Sequence, residues 1–116
     1  MKFPLIVLEG LDFALFYTIK DLESGLEGID VEENLYKAFD AAGRALNLKA
    51  IGVTRGRFAV EVGRVEFGGA EDVPNHQQEL VGLLREHLQA IGYPAKEGHE
   101  LEDLVRLCEE AHKRSI

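Results

Sequence analysis

The chain has one cysteine in 116 residues, so no intrachain disulfide can form and the fold must rest on its core. It has no tryptophan, one methionine and only three prolines. Basic residues are the minority, 13 against 21 acidic, for a formal charge of −8. A general nucleic-acid binder needs a basic face to displace counterions, and an anionic membrane attracts the same sign, so direct partners of both kinds are disfavoured. Long hydrophobic runs are also missing. The opening Met1–Leu8 stretch is broken by Glu9 and Asp12, too early for a secretory h-region or a bilayer span. A reducing bacterial-type cytoplasm is the expected compartment.

Recognisable chemistry is equally scarce. No G-x-G-x-x-G, Walker, H-E-x-x-H, C-x-x-C or G-x-S-x-G pattern occurs. Cys108 is followed by Glu109 and Glu110, which would raise a thiol pKa, and it reads as a small buried hydrophobe. Of the four histidines, His76 and His87 fall about 16 Å apart along one expected helix and cannot share an ion. All four read as exposed or capping residues, and His99 with Glu100 and Glu102 as a helix start. Glu61 alternates with Val60 and Val62 and is expected to face solvent, so no acid–base carboxylate pair is assigned. The chain is therefore expected not to be an enzyme, with no catalytic residue, no cofactor and no metal.

Hydrophobic residues make up 46% of the chain, enough for one folded domain over residues 1–116. Phe3–Leu8 suits a buried strand, Glu9–Asp12 a turn, and the aromatic Phe13–Tyr17 a partner strand. Thr18 and Asp21 form a capping-box pattern before a short helix carrying Ile19, Leu22 and Leu26. Two structures suit residues 31–48. One is a helix with Val31, Leu35, Ala38, Phe39, Ala42 and Leu46 on one face. The other is a hairpin of Leu35–Phe39 and Ala45–Val53 around a turn at Asp40–Arg44. Phe58–Phe67 is the clearest strand. Its alternation flips at Gly63, where a bulge is expected, and Gly68-Gly69 should end it. Asn75 is the expected N-cap of a helix with Leu80, Val81, Leu84, Leu88 and Ile91 in one stripe, stopped at Gly92. A last helix over 99–114 buries Leu101, Leu104, Val105, Cys108 and Ala111. The expected class is α+β: an antiparallel sheet of four to five strands, with the two C-terminal helices and the short N-terminal helix on one face.

The stretches Ile29-Asp30-Val31 and Tyr36–Leu46, with Asp-x-x-Gly-Arg at their centre, resemble a pattern in small uncharacterised bacterial proteins. In those the Asp-x-x-Gly-Arg piece joins two strands, so the resemblance favours the hairpin. In size and acidity the chain broadly resembles the small immunity proteins that neutralise basic bacterial toxins.

Charge is uneven. Residues 1–48, 49–70 and 71–116 carry −5, +2 and −5. The last share dresses amphipathic helices. The middle holds Lys49, Arg55, Arg57 and Arg64, which suit edge protection or a small anion or RNA contact. Glu23, Glu27, Asp30, Glu32 and Glu33 form the densest acidic run and are the expected contact for a basic protein partner of the toxin kind. Two further readings remain: an enzyme or small-ligand-binding domain with a cavity between sheet and helices, and a module that homodimerises through the aromatic strand Phe13–Tyr17 or a free sheet edge.

Overall fold

The computed structural model describes residues 1–10, 12–26, 36–52, 54–55, 60–61, 63–93, 95–96 and 98–114. The apolar start forms β1 (Leu5–Glu9), which pairs antiparallel with β2 (Asp12–Phe16), Val7 opposite Ala14. Gly10 takes the left-handed conformation (φ +59°) that the tight reversal needs. On the other side of β1 lies β3 (Lys37–Phe39), so the order is β2-β1-β3. Leu5, Ile6, Val7 and Leu8 are all buried. A strand covered on both faces has no use for polar alternation, which is why this run shows none.

Each face of β1 belongs to a separate core. Ile6 and Leu8 pack with Leu80, Leu84 and Leu88 of α2 (Gln77–Ala90) and with Leu104, Val105 and Cys108 of α3 (Leu101–Arg114). Leu5 and Val7 pack with Leu22 of α1 (Ile19–Gly25). The short helix is therefore on the face opposite the C-terminal pair. This corrects the expectation that all three helices share one face. The reason is parity along β1: both sets of side chains are large and apolar, so each demands its own cover.

The Asp40–Arg44 turn is present, with strands on either side as in the hairpin reading. Asp40 is completely buried and organises it. Its Oδ1 accepts from Ala42 N (3.0 Å) and Arg44 N (2.8 Å), while Oδ2 accepts from Lys2 N (3.0 Å) and Arg44 Nη1 (3.2 Å). An Asp that satisfies the amides two and four residues on fixes a turn where apolar spacing alone also allows a helix. Gly43 (φ +91°) leaves no room for a side chain, since a Cβ would stand 2.7 Å from the Gln77 backbone. The turn is thus seated on the start of α2, with His76 N donating to Gly43 O at 3.0 Å.

The two arms then part. Among the described residues only Phe39 and Ala45 bridge, after which β4 (Leu46–Ile51) pairs with β7 (Arg64–Ala70). Between them, β5 (Thr54–Arg55) and β6 (Val60–Glu61) form a two-residue ladder. Among the described residues, the expected single sheet of four to five strands is instead a three-stranded sheet and two small ladders. Leu46, Leu48 and Phe67 pack onto the core of Leu5, Val7 and Leu22. β4 and β7 fold over the back of the first sheet rather than extending its plane.

The bulge also moves. Leu46 faces Ala70 and Leu48 faces Phe67, so one residue of β4, Asn47, stands against two of β7, Gly68 and Gly69 (φ +111°). The glycine doublet bends the strand without ending it. Gly63 instead marks the passage from β6 to β7.

Helix ends follow local chemistry. Thr18 Oγ1 accepts from Asp21 N at 3.0 Å, as the capping pattern predicts. α2 ends on Gly92 (φ +83°), with Gly92 N donating to Gln89 O and Tyr93 N to Leu88 O, the paired bonds of a Schellman stop. The expected Asn75 cap is not used. His76 holds the cap position, and Asn75 N donates to Glu71 Oε1 at 3.1 Å. Among the described residues no helix is long and apolar enough to cross a membrane.

Candidate functional site

The nominated acids divide. Glu23 lies on α1, half-buried, and its Oε2 accepts from Phe67 N at 2.8 Å. That bond ties α1 to β7. Glu27, Asp30, Glu32 and Glu33 lie outside the described residues, as does Arg57. Lys49 is exposed opposite Glu66 in the β4–β7 ladder, and Arg64 is exposed opposite Ile51. Cys108 is fully buried, and burial followed by the charge of Glu109 pushes its thiol up to about 12. At neutral pH it is not a nucleophile.

The most organised polar geometry involves two histidines whose spacing matches no motif. His87, in the last turn of α2, and His112, near the end of α3, bring their Nε2 atoms to 3.2 Å. Both rings stack on Phe13 of β2, with centroids at 4.2 Å (15°) for His87 and 4.6 Å (28°) for His112. The two imidazoles are 13° from parallel, 5.4 Å between centroids. The centroid separation exceeds the nitrogen separation by about two ring radii. The rings therefore lie side by side over the phenyl face, nitrogen toward nitrogen. One Nε2 donates and the other accepts.

Helix direction makes this meeting possible. The first turns of α2 and α3 share a cavity of about 530 Å³, lined by Gln77, Gln78, Glu100 and Leu101 among others. Their last turns share the histidine contact. The helices run in the same sense, so positions 25 apart in sequence become neighbours. Consecutive amphipathic stripes give no hint of this.

Burial lowers the pKa of both rings from the usual histidine value, and for His87 the neighbouring His112 lowers it further. Both are neutral imidazoles at neutral pH, each able to offer a ring-nitrogen lone pair. A second cavity, about 360 Å³, opens beside His87 and is lined by Gly10, Leu83, Glu86, Gln89 and Ala90.

His76 is the opposite case. Its Nδ1 lies 2.7 Å from Glu71 Oε1, which also accepts from Ala45 N at 2.9 Å. The carboxylate bond raises the His76 pKa, and the imidazole in turn lowers that of Glu71. Among the described residues no cluster of three His, Cys, Asp or Glu side chains is placed to enclose a metal. Comparison with known protein families, characterised proteins and solved structures gave no match.

Proposed function

We propose that the protein is a non-enzymatic interaction domain whose acidic surface receives a basic protein partner, in the manner of the small immunity proteins it resembles. The observation that carries the reading is the distribution of negative charge. Glu27, Asp30, Glu32 and Glu33 occur without a single lysine or arginine between Leu26 and Tyr36. Asp40 and Glu71 hold turns together, and Glu23 anchors α1 to β7, so these acids already serve the fold. The 27–33 run is the densest acidic stretch of the sequence. Concentrated charge of one sign steers encounter with an opposite surface and fixes its register.

The test is capture from lysate of the native cell by the wild-type chain and by an E32K/E33K variant, with identification of what is held. The expected result is one basic protein retained by the wild type, lost on charge reversal and released by moderate salt. Absence of a basic partner, or equal capture by the variant, contradicts the reading.

A second reading, a small-ligand domain, is favoured by the cavities of about 360 and 530 Å³, both in the range of ligand pockets. A thermal-shift screen against metabolites addresses it. A reproducible, saturable shift supports it, and none across the screen removes it.

A further inference from the structure

We propose that His87 and His112 together bind one first-row divalent transition-metal ion, Cu(II) or Zn(II), through their two Nε2 atoms. The inference is independent of the acidic surface. It rests on the placement of two imidazoles from different helices.

Distance is the first argument. Two nitrogen ligands at the usual zinc–imidazole length subtend about 3.3 Å in a tetrahedral site. Two cis nitrogens of a square-planar Cu(II) site subtend about 2.9 Å. The observed 3.2 Å lies between these values, so the nitrogens are already at chelating separation, and an ion enters once each ring swings in its own plane to turn its lone pair from the other nitrogen toward a shared point.

Orientation is the second. A ring lone pair lies in the ring plane, and the two planes differ by only 13°. Phe13 covers both rings from one side, which resists rotation out of that plane. A pair held this way gives up less side-chain entropy on chelation than two free surface histidines do.

Access is the third. His87 also lines the cavity of about 360 Å³, so water or an outside ligand can reach the ion. Glu86 and Gln89 on the same wall place polar groups in an otherwise mainly apolar lining. With two protein donors, the remaining positions belong to water or to such a ligand, unlike a closed structural site. Proton balance is simple. The ring that donates through Nε2 loses that proton to solvent and takes one at Nδ1, and both rings bind neutral. No covalent bond of the chain breaks and nothing is oxidised.

The spacing His87-x24-His112 matches no metal motif, because such motifs place ligands within one element or one loop. Here the same-sense packing of α2 and α3 supplies the second ligand.

The test titrates the full chain with Cu(II) and, separately, Zn(II) by calorimetry. The proteins are wild type, H87Q, H112Q and a surface control, H76Q/H99Q. Folding of each is checked by circular dichroism. The expected result is one ion per chain, weakened at least tenfold by H87Q or H112Q and within twofold of wild type in the control. The Cu(II) complex should show nitrogen hyperfine structure from two imidazoles in its electron spin resonance spectrum. Should either glutamine variant fail to fold, the wild type still decides the matter. Substoichiometric Cu(II) should selectively broaden the His87 and His112 imidazole resonances before those of His76 and His99. Binding that survives H87Q and H112Q, uniform broadening of all four histidines, or no stoichiometric binding at millimolar ion overturns the proposal.

Discussion

The two ends of the helical layer use the same residue type to opposite effect. Where α2 begins, His76 meets the Glu71 carboxylate, and its pKa is raised by that bond. Where α2 and α3 end, His87 and His112 meet each other over Phe13, and burial lowers both. The first end is a polar junction in which carboxylates collect backbone amides: Asp40 takes Ala42, Arg44 and Lys2, and Glu71 takes Ala45 and Asn75. At the second end, two neutral rings satisfy one another. The difference teaches that acidity here is partly structural. Carboxylates do the work of turn and cap residues at one end, and at the other end two imidazoles face each other over Phe13.

The largest break in this comparison is at Asp40. Asp40→Ala leaves several amides and Arg44 without their acceptor in a buried turn, and should cost about 3–5 kcal/mol. Denaturant unfolding measures it, and a loss below about 1 kcal/mol would show that the turn holds without the carboxylate. Asp40→Asn, which keeps one acceptor oxygen, should cost less.

Glu23→Gln comes next. Replacing the carboxylate at Phe67 N by a neutral amide should cost about 1 kcal/mol, since hydrogen bonds to charged groups are the stronger kind. The same unfolding series reads it. An unchanged midpoint would return Glu23 to the free acidic surface.

Acid response sharpens the contrast further. His87 and His112 have folded pKa values below the unfolded value of 6.5, so the native state holds fewer protons than the unfolded one. Their contribution is present above pH 6.5 and is lost as pH falls through the folded values. His76 has a raised value, so its contribution is full below 6.5 and fades as pH rises through the folded value. Melting temperature against pH should therefore lose its acid slope below about 6.5 in an H87Q/H112Q variant. In H76Q the difference from wild type should shrink toward alkaline pH. Parallel curves for all three proteins would erase the distinction.

The smallest effect is expected at Tyr17, whose hydroxyl donates to Glu109 Oε2 at 2.8 Å on a half-exposed surface. Burial, then the bond and charge of Glu109, push the phenol up to about 12. Tyr17→Phe should change stability by about 0.5 kcal/mol or less.

Much of this layout was legible from local chemistry. Ile6 and Leu8 in an unbroken apolar run, Thr18 before Asp21, the stripe Leu80-Leu84-Leu88 and the Gly92 stop each carry their own physical instruction. Asp40 with Gly43 specified a turn, although apolar spacing alone allowed a helix. What was hidden depends on arrangement between elements. Periodicity says that Leu22 and Leu46 are buried, and nothing about which face of β1 they cover. Gly63 and Gly68-Gly69 offer similar backbone freedom, and only the β4 register assigns the bulge to the doublet. His87 and His112 each sit on a helix that makes sense without the other. Their meeting depends on α2 and α3 running in the same sense, which no single-element pattern encodes. The acidic candidate was legible as charge, but the bond from Phe67 N to Glu23 is a contact 44 positions away.

The contrast between the two histidine environments is open to direct measurement by NMR titration of the imidazole resonances of all four histidines. The account predicts His76 titrating above 6.5, and His87 and His112 both titrating below it with mutually coupled curves. His87 and His112 titrating independently at or above 6.5 would contradict it.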